Sequence, residues 1–270
     1  MAYPKITVNT TQAIHVTPSN SIPIPNPNFL AAIGTGNFVT TGTTTNTVAN
    51  KLIDASATFQ AANPPLPIII GDVAYNITNT ANAAVTAVDS GTQLTLASDA
   101  FQAGGNSENY KIVRQNSLID EEINFVSLGV KVGDIVVNTD NAGIATVTAV
   151  GNEDQLTLSA NIFGSLTTAD DNFRIYSQQE GSEYYPPYLG NNGGSSTTTN
   201  NPGCLIYVGD TSVINTGADA TSNQFKNVTV RTVSGEIISF NNFPVGEYLP
   251  IQVVQVMSSG TSANSLIGIW

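Results

Sequence analysis

Val85-Thr-Ala-Val88 followed by Gln93-Leu-Thr-Leu96 returns later in the chain as Val147-Thr-Ala-Val150 followed by Gln155-Leu-Thr-Leu158. Other landmarks keep step with these phrases. The first copy carries Lys51-Leu-Ile-Asp54, Phe59, Gly71-Asp72-Val73, Phe101 and Tyr110-Lys-Ile112. The second carries Leu118-Ile-Asp120, Phe125, Gly133-Asp134-Ile135, Phe163 and Phe173-Arg-Ile175. So many landmarks in one order identify an internal duplication.

Within the second copy, β-prone runs cover 134–138, 144–150, 155–159 and 173–177, and turn signals separate them. Leu156 and Leu158 fall on one face, with Gln155 and Thr157 on the other, which is the period of a half-buried strand. Gly143 and Gly151 are read as supplying the positive φ that tight hairpins need. The Leu-Ile-Asp segment ahead of each Gly-Asp is read as a short helical turn. Four or five strands in so short a copy predict a small barrel or sandwich. Neither copy has room for a large core, so each leans on the other or on a partner.

Outside the copies the chain changes character. Prolines at 18, 23, 25 and 27 forbid a central strand in the first segment, which is read as an extended arm or edge strand. The predicted organisation is an arm (1–28), a Thr/Gly-rich connection (29–50), a first β repeat (51–115) and a second (116–179). A Gly/Ser/Thr/Asn linker (180–202) and a C-terminal β domain (203–270) follow. The fold class is all-β: two tandem small repeats inserted into an antiparallel sandwich formed by the arm and the C-terminal segment.

Composition narrows the function. Charged residues make up only 10%, well below the roughly 25% of an average domain. Eight Lys and Arg stand against 20 Asp and Glu, giving a net charge of −12. No cationic cluster exists to neutralise phosphates, so nucleic acid is not an expected partner. No run of about 20 apolar residues is present, so no membrane helix is expected. The first residues lack the apolar core of a secretion signal, so synthesis in a cytoplasm is expected. Cys204 is the lone cysteine, which excludes an intrachain disulfide, and it reads as a small buried hydrophobe.

No catalytic, cofactor or metal residue is assigned. His15, the lone histidine, would have to serve any Ser-His-Asp triad, yet it lies in a strand-like, proline-flanked arm. Asp120-Glu121-Glu122 and Asp170-Asp171 are the densest acidic runs and sit beside turns, where acids cap and solubilise. Asp72 and Asp134 recur after glycine, as turn hydrogen-bonders do. Calcium at 139–143 or at Asp170-Asp171 lacks the spacing of a calcium loop. Tyr184, Tyr185 and Tyr188, in a Tyr-Tyr-Pro-Pro-Tyr cluster, are candidate interface residues. Contact with a neighbouring subunit, packing on their own domain and stacking on a sugar all remain open for them. Trp270 is read as core of the last strand, with an interface role second.

The flanks carry a resemblance. Ile14–Pro27 (IHVTPSNSIPIPNP), Cys204–Asp210 (CLIYVGD) and the close Ile238–Trp270 resemble the head-spike-base proteins of phages and phage-like gene transfer agents. The close keeps the phrase F-x-x-x-P-x-G-x-x-L-P-x-Q-V over Phe240–Val253 and ends on Trp270. The resemblance covers about a third of the chain. This chain departs from the family by carrying both repeats between the two flanks. The resemblance implies a non-enzymatic virion protein on the capsid exterior: a cement, decoration or head-spike component. Its partners would be the major capsid protein, other virion proteins and copies of itself as a homotrimer or pentamer. A tail or baseplate component, or a carbohydrate-binding adhesin for host attachment, are the alternatives.

Overall fold

The computed structural model describes residues 12–27, 30–36, 39–46, 48–60, 66–101, 107–163, 171–177, 203–209 and 225–270. They form an all-β protein with no α-helix among the described residues. Two compact units divide the chain: Met1–Leu30 with Tyr176–Trp270, and Ala31–Ile175.

The terminal unit begins with β1 (Ala13–Val16). The central unit follows with β2 (Leu30–Gly36), β3 (Thr40–Thr43), β4 (Lys51–Ile53), β5 (Val73–Asn76), β6 (Asn82–Ser90), β7 (Gln93–Leu96) and β8 (Asn109–Val113). It continues with β9 (Ser117–Ile119), β10 (Ile135–Asn138), β11 (Ile144–Asn152), β12 (Gln155–Leu158) and β13 (Asp171–Tyr176). The chain then completes the terminal unit with β14 (Leu205–Gly209), β15 (Phe225–Thr232), β16 (Ile237–Pro244), β17 (Val253–Val256) and β18 (Ser265–Ile269).

The central unit holds two six-stranded sheets, ordered β3-β8-β5-β6-β7-β4 and β2-β13-β10-β11-β12-β9. Strand by strand these are the same order. The long strands β6 and β11 each pair with one neighbour by their first half and another by their second. Matching register shifts, at Val85/Ala87 and Val147/Ala149, let each strand bend there. The first sheet curls until its ends meet: Thr45 N–H donates to Ile53 O at 2.9 Å, and Asn46 bridges Ile53. In the second, Gly36 lies so close to the Ile119 carbonyl that a Cβ there would collide with it. Each sheet is therefore a small barrel with its edges brought together.

Apolar side chains at alternate positions fill the barrels. Leu52, Val85, Leu94, Leu96, Phe101 and Ile112 lie in the first core, and Leu118, Val147, Leu156, Leu158, Phe163 and Ile175 in the second. Fully burying such a side chain is worth roughly 1.5–3 kcal/mol. Tyr110 is ringed by Phe59 and Phe101 at 6.2 and 6.4 Å, and Phe173 by Phe125 and Phe163 at 6.3 and 6.2 Å.

Three sequence readings are corrected here. The stretch 29–50 is more than a connection, because it supplies β2 and β3. These strands are legible only through what they pack against: a Cβ at Gly34 would strike Phe173 and Asp120, and one at Gly42 would strike Tyr110 and Asp54. Since β2 belongs to the second barrel, the first barrel is nested between the first two strands of the second. The Leu-Ile-Asp segments are strands, β4 and β9, because Leu52 and Leu118 pair with Leu94 and Leu156. Finally, the left-handed residue of the β10–β11 turn is Ala142 (φ 58°) and not Gly143, and Gly151 is not left-handed either. Gly143 is needed for space, since a Cβ there would come within 2.9 Å of Ile162.

The terminal unit has two three-stranded sheets, β1-β18-β14 and β16-β15-β17. Ile24, Ile206, Val208, Val228, Val230 and Leu266 are among the residues of the core between them. β1 is an edge strand, and the proline-bearing arm beyond it runs along β17. Ser19 and Ile24 N–H groups donate to Val256 and Val254 carbonyls at 2.8 Å.

Candidate interaction surfaces

The polar residues shared by the two repeats are used inside the barrels. Asn76 Nδ2 donates to Ala100 O (3.0 Å) and Glu108 Oε1 (2.9 Å), while its Oδ1 accepts from Thr78 and Asn79 N–H. Asn138 repeats this with Ile162 O (2.8 Å), Asp171 Oδ2 (3.1 Å) and the N–H groups of Asp140 and Asn141. Asp72 and Asp134 each accept the N–H three residues back, from Ile69 and Lys131, at 3.0 and 2.9 Å. Gly71 and Gly133 are left-handed in these turns (φ 99° and 97°), which favours glycine there. Asp72 also takes Arg114 at 2.9 Å, and Arg114 reaches Gln155 of the second barrel at 3.4 Å. These residues are structural pins.

One shared acid sits in two environments. Burial pushes the Asp54 carboxyl up, but hydrogen bonds from the Ser56 hydroxyl, the Tyr110 hydroxyl and Ser56 N–H outweigh it and hold the group below the ordinary range. Burial by its surroundings, with Asp54 next, raises the Tyr110 phenol in turn. At the equivalent Asp120, burial dominates and raises the carboxyl. Glu122 and Asp154 add repulsion, against bonds from the Glu122 and Ile123 N–H groups.

The other candidate residues do not converge. His15 is exposed on β1 opposite Ile267. Asp140 accepts Asn172 N–H at 2.6 Å, a bond that lowers its carboxyl and straps the β10–β11 turn to β13. Among the described residues, no three His, Cys, Asp or Glu side chains are placed to hold a metal ion. Asp170, Tyr184, Tyr185 and Tyr188 lie outside the described residues. Cys204 is buried, with its thiol pushed up to about 12 by desolvation. Trp270 packs against the terminal core, its ring over Gly268, where a Cβ would sit 3.1 Å from it.

The terminal unit presents one unusual surface. Cys204, Ile206, Val208 and Leu266 face the core. By strand alternation, Leu205, Tyr207, Ile267 and Ile269 face outward. Register places His15, Ile267 and Tyr207 in one row and Ala13, Ile269 and Leu205 in the next. Tyr248 extends the first row, its ring 5.3 Å from that of Tyr207 and 53% of it exposed. The outer side of a sandwich sheet is normally polar, yet none of these residues carries a carboxylate, ammonium or guanidinium. The signal was available in the runs Cys204–Val208 and Leu266–Ile269, which are apolar without alternation. Such runs belong to strands buried on both faces.

Comparison with protein-family models, with curated proteins and with solved structures finds no match to this chain.

Proposed function

We propose that this chain is a non-enzymatic structural protein of a bacteriophage particle, placed on the capsid exterior as a cement, decoration or head-spike component. Its work is to bury surface between subunits. The observation that carries this reading is the uncharged, largely apolar outer face of the β1-β18-β14 sheet, on which copies of the chain would meet. In a chain of net charge −12, like copies repel, and a face free of ionised groups is where they can approach. The resemblance of both flanks to head-spike-base proteins, which falls on this unit, supplies the virion part of the reading. The pinned polar residues of the repeats support the non-enzymatic part.

The partners in this reading are the major capsid protein and further copies of the chain. A tail or baseplate position would use the same face. An adhesin role would use the Tyr207–Tyr248 ring pair as a sugar platform. Cryo-EM of the parent particle tests the placement: density for this chain is expected on the outer capsid surface. Density confined below the portal would contradict it. Saturable binding on a glycan array would favour the adhesin.

A further inference from the structure

The two barrels differ in the loop that leads to the Gly-Asp turn. In both, the aromatic residue after the β4 or β9 strand is pinned in one way: Phe59 N–H donates to Gly91 O at 2.7 Å, and Phe125 N–H to Glu153 O at 2.8 Å. Asp54 and Asp120 N–H groups donate to Thr92 and Asp154 carbonyls, each at 3.0 Å. Both loops expose apolar side chains. Ile69 and Ile70 stand out in the first, and Val126, Leu128 and Val132 in the second, at 56%, 48% and 56% exposure. Ile70 and Val132 occupy the same position ahead of the left-handed glycine. The backbone turn does not require an apolar residue there.

The surrounding charge is where the copies part. Ala55, Ser56, Gly91 and Thr92 of the first barrel are replaced by Glu121, Glu122, Glu153 and Asp154 in the second. The three glutamates are exposed, and Lys131 is the base within the loop. Exposed apolar side chains on a loop that begins with Glu121 and Glu122, and to which the Phe125 N–H bond ties Glu153, complement a surface that is apolar and basic together.

We infer that the β9–β10 loop of the second barrel is a docking surface for a protein segment carrying both Lys or Arg and Leu-type side chains. The exposed apolar residues supply the contact, and the acids select the partner's charge. The first barrel, apolar but without the acids, is the internal control. The inference does not depend on the virion reading.

The test is titration of the isotopically labelled full chain with two synthetic peptides of equal length, one alternating Lys and Leu, the other Lys and Ser, followed by amide chemical shifts. Saturable shifts confined to residues 121–133 and 153–154 are expected with Lys/Leu. The Lys/Ser peptide should bind at least roughly tenfold more weakly. The triple variant E121Q/E122Q/E153Q should weaken Lys/Leu binding by roughly tenfold, with shifts elsewhere in the chain unchanged as the check that it folds. Equal binding of the two peptides, shifts spread over the first barrel as well, or no saturable shift would each overturn the inference.

Discussion

The two barrels share strand order, bulge positions, aromatic trio and asparagine pin, and one of their differences is a buried pair. Tyr110 gives its hydroxyl to Asp54 at 2.8 Å, whereas Phe173 has none to give Asp120. One backbone therefore holds the same acid ionised below its ordinary range in one copy and pushed above it in the other. A second difference follows from nesting. β4 has one buried residue, Leu52, but all of β9 is buried, with Leu118 in the second core and Ile119 in the first. What the copies keep is what a tightly curled six-stranded sheet requires. What they changed reflects where each barrel sits and what it meets.

The equivalence of the barrels is most exposed at the asparagine pins. Asn76→Ala and Asn138→Ala each remove a buried side chain that donates two hydrogen bonds and accepts two more, so each should lower unfolding free energy by about 3 kcal/mol in urea titrations. A cost near 3 kcal/mol at one site with less than about 1 kcal/mol at the other would mean that the pins are not equivalent. The seam comes next. Ile119→Ala should cost about 2–3 kcal/mol, because it opens the first core from the second barrel. Ile53→Ala, at the half-buried equivalent, should cost about 1 kcal/mol.

The acid pair gives smaller, pH-dependent effects. Tyr110→Phe should cost about 1–2 kcal/mol at neutral pH. Asp54 has a depressed folded pKa, so its contribution is present above the ordinary value of 3.8 and is lost as pH falls through the folded value. The Tyr110→Phe cost should shrink over that acid range. Asp120 runs the other way. Its raised folded pKa means that the ionised form is penalised at neutral pH, and the penalty lifts as pH falls through the folded value. Asp120→Asn should therefore gain up to about 1 kcal/mol at neutral pH, a gain that disappears in acid. Phe173→Tyr should supply the missing donor and lower the Asp120 carboxyl, read by carbon-13 titration of that side chain.

The duplication, the all-β class and most strands of the second copy could be read directly, because VTAV, QLTL and the Gly-Asp pairs are local phrases with strict spacing. β2 and β3 could not. They are short runs in which Gly and Ala dilute the strand preference of Thr and Ile, held by close approach to Tyr110, Phe173 and Ile119 far along the chain. The β4 and β9 strands were hidden for the same reason, since pairing with β7 and β12 decides their form. The terminal sheet face was half legible. The apolar runs of β14 and β18 signalled burial on two sides, but only register places His15, Ile267 and Tyr207 in one row. Trp270 follows the last strand and packs, half-buried, against the terminal core, while the tyrosine cluster at 184–188 lies outside the described residues.

The claim that the chain assembles through its terminal sheet is tested most directly by sedimentation equilibrium of the full chain beside its Tyr207→Ser/Ile267→Ser variant. Both side chains point away from the core, so the variant should fold with an unchanged circular dichroism spectrum. A discrete oligomer is expected for the natural sequence at micromolar concentration, and a monomer for the variant. A natural sequence that remains monomeric, or a variant that assembles equally well, would contradict it.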